Sequence, residues 1–214
     1  EKYALLKKEF WGSESLALTA FLLPDAEDVA EKAARGKRIY RRMKEQHPFL
    51  TSSEDSVFAV LMAFSDKSDD ALIADMEECY ALLKDRFGAS NYVQAASHVL
   101  TLTDGTPTEK AGRMLELFDN IARAGAKYGK YYELPVLASL SALIPNPRQA
   151  TSDLLEMDAF LAKQKGYGFW GMGKRLRLMH AAMLLANVYT ENNHMNAAAI
   201  SSTLALIASQ QAAL

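Results

Sequence analysis

Hydrophobic residues recur along the chain at the spacing of one helix face. Two stripes follow the i, i+3, i+4, i+7 pattern: Val57, Val60, Leu61 and Phe64, and later Leu137, Leu140, Ser141 and Ile144. No segment alternates with a period of two, so we predict an all-α fold with no sheet. Cap residues and turn signals divide the chain into these predicted helices: 2–9, 14–23, 26–46, 53–65, 69–86, 91–102, 107–124, 133–144, 149–164, 174–190 and 196–211.

A longer period overlies the helical one. Aromatic residues at predicted helix ends recur at intervals of 39, 38, 41 and 41 residues: Phe10, Phe49, Phe87, Tyr128 and Phe169. A period near 40 residues is typical of stacked helical hairpins. The first three turns read Phe-x-x-Ser, and serine is a favoured helix N-cap. We therefore predict a right-handed helical-hairpin repeat array, an α/α solenoid, with one aromatic residue at each turn as part of its architecture.

Further signals mark individual helix ends. The segments Thr51-Ser-Ser-Glu54 and Thr106-Pro-Thr-Glu109 have the capping-box pattern, in which a hydroxyl and a carboxylate exchange hydrogen bonds with the first helical turn. The stretch from Pro145 to Pro147 must separate two helices, because proline lacks the N–H that a helix interior needs.

Length and charge limit the classes of function. The 214 residues, half of them hydrophobic, suffice for one large core, and we predict a single helical-repeat domain over residues 1–214. The net charge of −2 predicts no general attraction to nucleic acid or to an anionic membrane. Because the chain begins inside a predicted helix and without methionine, we expect a fragment that lacks N-terminal repeats.

Composition also bears on the compartment. Cys79 is the single cysteine, so no internal disulfide can form, and we expect a cytoplasmic protein in which Cys79 is buried. The stretch after Glu191 carries no formal charge, but its many Asn, Ser and Gln residues predict a closing helix rather than a membrane span.

The fourth and fifth units keep the aromatic residue but change the turn. Residues 124–135 and 165–177, which we call the glycine-basic loops, are rich in glycine, aromatic residues, lysine and arginine. From residue 120 to residue 190 there are nine Lys and Arg against four Asp and Glu, a net of +5. Because equivalent turns lie on one edge of a solenoid, we expect the two loops to be neighbours.

Such loops are typical of a site for an anionic group. Glycine lets backbone N–H groups converge on an anion, and a helix N-terminus favours negative charge. Basic residues in the first turn of a helix are repelled by the positive end of its dipole, so we expect a ligand or an acidic side chain to lie between them. Glu133 and Asp158 are the available acids. The candidate binding residues are Lys127, Tyr128, Lys130, Tyr131, Glu133, Tyr167, Trp170, Lys174, Arg175, Arg177 and His180. A purely structural role is the alternative, in which the aromatic residues of these loops close the core.

Two functions from different classes remain open. The first is a module that binds a protein or peptide without catalysis, because hairpin arrays offer extended surfaces. The second is a site for a small anion or phosphorylated metabolite, with or without catalysis. Its anion would be held by Lys127, Lys130, Arg175 and Arg177, with Glu133 or His180 as the proton-transfer group. We favour the first, and therefore lean towards a protein that is not an enzyme.

Metal and cofactor chemistry find no support in the sequence. The four histidines are His47, His98, His180 and His194, and none pairs with a second histidine or a cysteine at the spacing of metal ligands. We therefore predict neither a metal site nor a cofactor.

Four segments resemble a known bacterial family. They are the run from Thr51 to Leu61, Ser97-His-Val-Leu100, the run from Lys127 to Pro135 and the run from Gly166 to Lys174. Together they identify the chain as similar to the domain of unknown function numbered four thousand and three, up to about residue 190. The resemblance implies a cytoplasmic bacterial protein with no established activity, and it supplies no catalytic residues.

Overall fold

The computed structural model describes residues 1–23, 28–167 and 173–192, and these residues form helices without any strand. The helices are α1 (Lys2–Glu9), α2 (Glu14–Leu22), α3 (Val29–Gln46), α4 (Asp55–Met62), α5 (Asp69–Phe87), α6 (Asn91–Thr101), α7 (Pro107–Arg123), α8 (Glu133–Leu143), α9 (Pro147–Leu161) and α10 (Lys174–Asn192). The predicted all-α class is confirmed. The predicted helix 196–211 lies outside the described residues.

The helices pack in two rows. The odd-numbered helices contact one another in chain order from α1 to α9, and the even-numbered helices do the same from α2 to α10. Each odd helix also packs on the even helix that follows it, so the core lies between the rows. Core side chains with almost no exposure include Leu6, Ile39, Met76, Leu117, Leu137 and Met179.

Helices α4 and α8 are buried on all sides. Every residue of α4 and nearly every residue of α8 is shielded from solvent, so the stripes seen in the sequence understate their burial. Gly36 in α3 permits the close approach of α4, because a Cβ at that position would lie 3.2 Å from the Cα of Val60. Both helices therefore hold their N-terminal residues in fixed positions.

The helix ends follow the predicted caps with one exception. Ser13 and Ser90 cap α2 and α6, and Thr106 and Glu109 form the predicted capping box of α7. The capping box expected at Thr51–Glu54 is wrong: α4 begins at Asp55, two residues later than predicted. The Asp55 carboxylate accepts the N–H of Ser52 at 2.7 Å instead, but the Ser52 hydroxyl accepts the N–H of Glu54, so no complete capping box forms at this turn.

The periodic aromatic residues do not share one environment. Phe10 and Tyr128 are buried, Phe87 is half-buried, and Phe49 is 97% exposed. The expectation that Phe49 is part of the architecture is therefore wrong. Phe169 lies outside the described residues.

A buried ionic cluster joins α5 to α7. Lys110, which is fully buried, donates to both carboxylate oxygens of Asp75 at 2.5 and 2.8 Å, and Lys67 donates to the same carboxylate at 2.8 Å. Cys79 lies 3.5 Å from Asp75, and burial raises the pKa of its thiol to about 12. Cys79 is thus a buried, protonated side chain, as predicted.

Among the helices of the described residues, none combines the length and the apolar character that crossing a bilayer requires.

Candidate functional site

A cavity of about 520 Å³ opens between the first turns of α4, α6 and α8. Its volume lies within the range of small-ligand and side-chain pockets, about 300–1,000 Å³. The apolar part of its wall is made of Leu50, Phe58, Tyr92, Tyr132 and Pro135. We call it the turn cavity, because the turns that precede the three helices form its rim.

The polar part of the turn cavity is acidic. Glu54 and Asp55 line it, and none of the described lining residues is lysine or arginine. Asp55 is fixed in place, because its Oδ2 accepts hydrogen bonds from the backbone N–H of Ser52 at 2.7 Å and from the Ser52 hydroxyl at 3.2 Å. Its other oxygen, Oδ1, lies 3.3 Å from Nδ1 of His98.

His98 lies behind this carboxylate and is fully buried. Although the distance to Asp55 is within ion-pair range, neither ring nitrogen of His98 forms a hydrogen bond with another of the described residues. The ring packs against Phe58, with centroids 5.2 Å apart. Ser52 donates to Asp55 and not to His98, so these three side chains do not have the order of a nucleophilic triad.

Hydrogen bonds between elements support the wall of the turn cavity. The Thr51 hydroxyl donates to the carbonyl of Met43 at 3.2 Å and accepts from the amide of Gln94 at 2.8 Å. Lys44 donates to the carbonyl of Thr51 at 2.6 Å. The turn before α4 is thereby tied to both α3 and α6, which makes the cavity a preformed feature.

Exposed aromatic residues lie at the turns that lead into the four successive even-numbered helices α2, α4, α6 and α8. Trp11 is 90% exposed, Phe49 97%, Tyr92 39% and Tyr131 54%. Tyr92 and Tyr131 contact each other edge to face, with centroids 5.6 Å apart. We call the surface formed by these four residues and the turn cavity the turn edge; a second cavity, of about 590 Å³, lies beside Trp11.

The structure brings the two glycine-basic loops together, as the sequence predicted. Arg175 donates to Glu133 at 2.6 Å, and its guanidinium lies 5.1 Å from the ring centroid of Tyr131. The hydrogen bond to Glu133 raises the pKa of Arg175. Glu133 is fully buried, and its second oxygen accepts the N–H of Tyr131 at 3.0 Å. Gly129 leaves the room for this carboxylate, since a Cβ there would lie 1.9 Å from Cδ of Glu133.

A second ion pair neutralises the other predicted cation. Arg177 binds Asp158 with two hydrogen bonds, at 2.7 and 2.9 Å, and donates to the carbonyl of Tyr167 at 3.3 Å. The bond to Asp158 raises the pKa of Arg177. The Tyr167 hydroxyl lies 3.2 Å from Nδ1 of His180. The sequence predicted that a ligand or an acidic side chain lies beside the basic residues of these loops. The two acids named there, Glu133 and Asp158, occupy those positions.

The remaining predicted residues divide between core and surface. Tyr128 is buried, and burial together with the charge of Glu133 raises the pKa of its phenol well above the ordinary value. Lys127, Lys130 and Lys174 are exposed. Trp170 lies outside the described residues.

The electrostatics of the turn cavity favour a cation over an anion. A helix N-terminus stabilises a nearby anion by about 0.3–1 kcal/mol. A carboxylate 4 Å away repels the same anion by about 4 kcal/mol near a protein surface. Since Asp55 occupies the first turn of α4 and lines the cavity, the N-terminus of α4 does not outweigh the repulsion of an anion by this acid.

Sequence reasoning missed the turn cavity and most of its residues; only Tyr132 and Pro135 of its lining lie in a glycine-basic loop. It placed the site at the glycine-basic loops, because those loops stand out in composition, whereas Asp55, Tyr92 and His98 belong to ordinary helical patterns. A usable signal was present in the family resemblance. The cavity and its supporting residues draw on three of the four segments that carry it: 51–61, 97–100 and 127–135.

Within the described ranges, no group of three or more His, Cys, Asp or Glu residues is placed so that it could hold a metal ion.

Comparisons with known proteins give two matches. The sequence profile of the family described as "Protein of unknown function (DUF4003)" matches residues 1–212. The uncharacterized protein YeaA of Bacillus subtilis strain 168 is 32% identical over 115 residues, which are 53% of this chain and 34% of that protein. The matched part thus spans about a third of that relative's length. No solved structure gives a significant match.

Proposed function

The chain belongs to the DUF4003 family, whose function is unknown, and we propose that it is a non-catalytic module that binds a peptide or protein segment along its turn edge. The family itself is the one that the four sequence segments predicted. The observation that carries the proposal is the combination of a preformed cavity with exposed aromatic residues at four successive turns.

Physical chemistry supports this use of the turn edge. Exposed aromatic residues that contact each other, as Tyr92 and Tyr131 do, are typical of interaction surfaces, and tyrosine and tryptophan are frequent anchors of protein interfaces. Tyr92 lines the turn cavity and Phe49 directly precedes the lining residue Leu50, so we expect a segment that fills the cavity to contact both rings. An extended peptide suits this row of exposed aromatic residues better than a small molecule does, because a peptide can contact several turns at once.

Selection from a library of random linear peptides displayed on phage tests the proposal. The chain is immobilised, and the affinity of a selected peptide is then measured by fluorescence polarisation. We expect Phe49→Ala and Tyr92→Ala each to weaken binding about tenfold, the usual effect of removing an interface anchor.

Phe21→Ala is the matched control, because Phe21 is 81% exposed and lies in the last turn of α2, at the end of that helix opposite to the turn that contributes to the turn edge. Peptide affinity should be the same for this variant and for the parent chain. Failure to enrich any peptide, or a loss of binding in Phe21→Ala but not in Phe49→Ala, would overturn the proposal.

Binding of a small anion at the glycine-basic loops is the second candidate, and the exposed Lys127, Lys130 and Lys174 support it. The ion pairs of Arg175 and Arg177 count against it, because both charges already have a carboxylate partner. A thermal-shift titration with inorganic phosphate separates the two functions: a rise in melting temperature that Lys130→Gln abolishes would favour the anion.

We further infer that the two rows of helices form a right-handed hairpin repeat array with a period of about 40 residues. The contacts between successive helices of each row support this inference, because each hairpin of a repeat array packs on its neighbours. A cytoplasmic bacterial location is part of the same proposal and is supported by the buried thiol of Cys79. Small-angle X-ray scattering on the chain tests the array, since a solenoid gives an elongated particle and a compact bundle does not.

A further inference from the structure

Three features of the turn cavity together favour a positively charged ligand group. Two carboxylates, those of Glu54 and Asp55, belong to its wall, and no basic residue accompanies them among the described lining residues. Asp55 is held by Ser52, so its charge is fixed in position before any ligand arrives. The rings of Tyr92 and Tyr132 also belong to the wall.

Resting on the proposed peptide-binding function, we propose that the turn cavity receives a basic side chain of the bound segment, with Asp55 and Glu54 as the residues that determine this specificity. Carboxylates beside aromatic rings are the surroundings that suit a cation, because the ring face attracts positive charge and the carboxylate pairs with it. Arginine fits better than lysine, since its planar guanidinium can lie on a tyrosine ring while it donates to a carboxylate.

The turn edge itself contains an example of this contact. The Arg175 guanidinium lies 5.1 Å from the ring centroid of Tyr131 while it donates to Glu133. Tyr131 in turn contacts Tyr92, which lines the turn cavity. An arginine bound in the cavity would repeat the same ring-and-carboxylate arrangement one helix away, at Tyr92 and Asp55.

Two small probes that differ only in charge test this inference directly. N-acetyl-arginine amide carries the guanidinium, and N-acetyl-citrulline amide has nearly the same shape without the charge. We expect the arginine probe to shift the ¹H–¹⁵N NMR signals of the backbone around residues 52–55 and 89–92, with an affinity about tenfold above that of citrulline. Equal affinity for both probes, or tighter binding of N-acetyl-glutamate amide, would overturn the inference.

Variants at the two acids locate the effect. Asp55→Asn should bring the affinity for the arginine probe down to that for citrulline and leave the citrulline affinity unchanged. Because Asp55 also bonds Ser52, that variant is checked by circular dichroism, and Glu54→Gln, on an exposed side chain, provides the second test with a loss of about threefold. Unchanged arginine affinity in Glu54→Gln and in a folded Asp55→Asn would contradict the assignment.

The peptide selection keeps this inference apart from the proposed function. Selected peptides that require Phe49 and Tyr92 but contain no arginine or lysine would leave the peptide-binding function standing and refute the basic side chain. Absence of any selected peptide, with the arginine probe still bound in the turn cavity, would refute the function and retain the preference of the cavity for a basic group.

Discussion

The glycine-basic loops and the turns before α4 and α6 lie side by side, yet they use charge in opposite ways. In the loops, Arg175 and Arg177 are paired with Glu133 and Asp158. At the turns, Glu54 and Asp55 face a cavity without a basic residue among its described lining residues. Unusual composition therefore marks the place where arginine side chains pair with acids of the fold, and ordinary composition marks the turns whose acids line the cavity that we propose binds a basic side chain.

The largest expected difference between the two regions concerns aromatic residues at equivalent sequence positions. Tyr128 is buried in a glycine-basic loop, and Phe49 is exposed at a cavity turn. Because truncation of a buried aromatic residue removes its packing and leaves a void, Tyr128→Ala should lower the free energy of unfolding by about 3 kcal/mol. Phe49→Ala should change it by less than about 0.5 kcal/mol. Urea denaturation measures both, and similar losses in the two variants would break the comparison.

That contrast also shows how far the sequence could predict the structure. Most helices and most helix ends followed from local signals such as the Thr106–Glu109 capping box, and the proximity of the glycine-basic loops followed from the period of about 40 residues. The exposure of Phe49 did not follow, because a period of about 40 residues gives the position of a residue in a hairpin but not the direction of its side chain. The turn cavity forms where three turns that are distant in sequence come into contact, and no local sequence pattern predicts that contact.

Gly129 and Glu133 provide the next test, because they occupy the same space in the first glycine-basic loop. Gly129→Ala would place a Cβ 1.9 Å from Cδ of Glu133, so we expect the buried carboxylate to be displaced from Arg175 at a cost of about 3 kcal/mol. In a Glu133→Ala background the same change should cost less than about 1 kcal/mol, since its obstacle is gone. A double-mutant cycle by urea denaturation measures the coupling.

Gly112→Ala is the control for that cycle. A Cβ at Gly112, inside α7, meets no atom within 4 Å, so alanine should stabilise the helix by about 0.5–1 kcal/mol. Equal costs for Gly129→Ala in both backgrounds would show that Glu133 does not need the space that Gly129 leaves.

We expect the ion pair between Arg177 and Asp158 to contribute less to the free energy of unfolding than the pair between Glu133 and Arg175, and more than an ion pair on the surface. Both side chains are mostly buried and share two hydrogen bonds, so Asp158→Asn should cost about 2 kcal/mol. The Arg86–Asp119 pair has a similar distance, 2.9 Å, but both side chains are 46% exposed, and Asp119→Asn should cost less than about 0.5 kcal/mol. Chemical denaturation of the two variants compares them, and equal costs would remove the structural role assigned to Asp158.

The smallest expected effect is the pH dependence that Tyr128 adds to stability. Burial and the charge of Glu133 raise its phenol pKa well above the ordinary value, and its hydroxyl has no hydrogen-bond partner among the described residues. The fold therefore favours the protonated phenol. Its contribution to stability is complete below the unfolded pKa of about 10 and declines as the pH rises above it. Tyr128→Phe should change stability by less than about 0.5 kcal/mol at pH 8, because it removes only an unpaired hydroxyl. Above pH 10 the variant should lose stability less steeply than the parent chain in urea titrations, and equal slopes would mean that the phenol ionises without opening the loop.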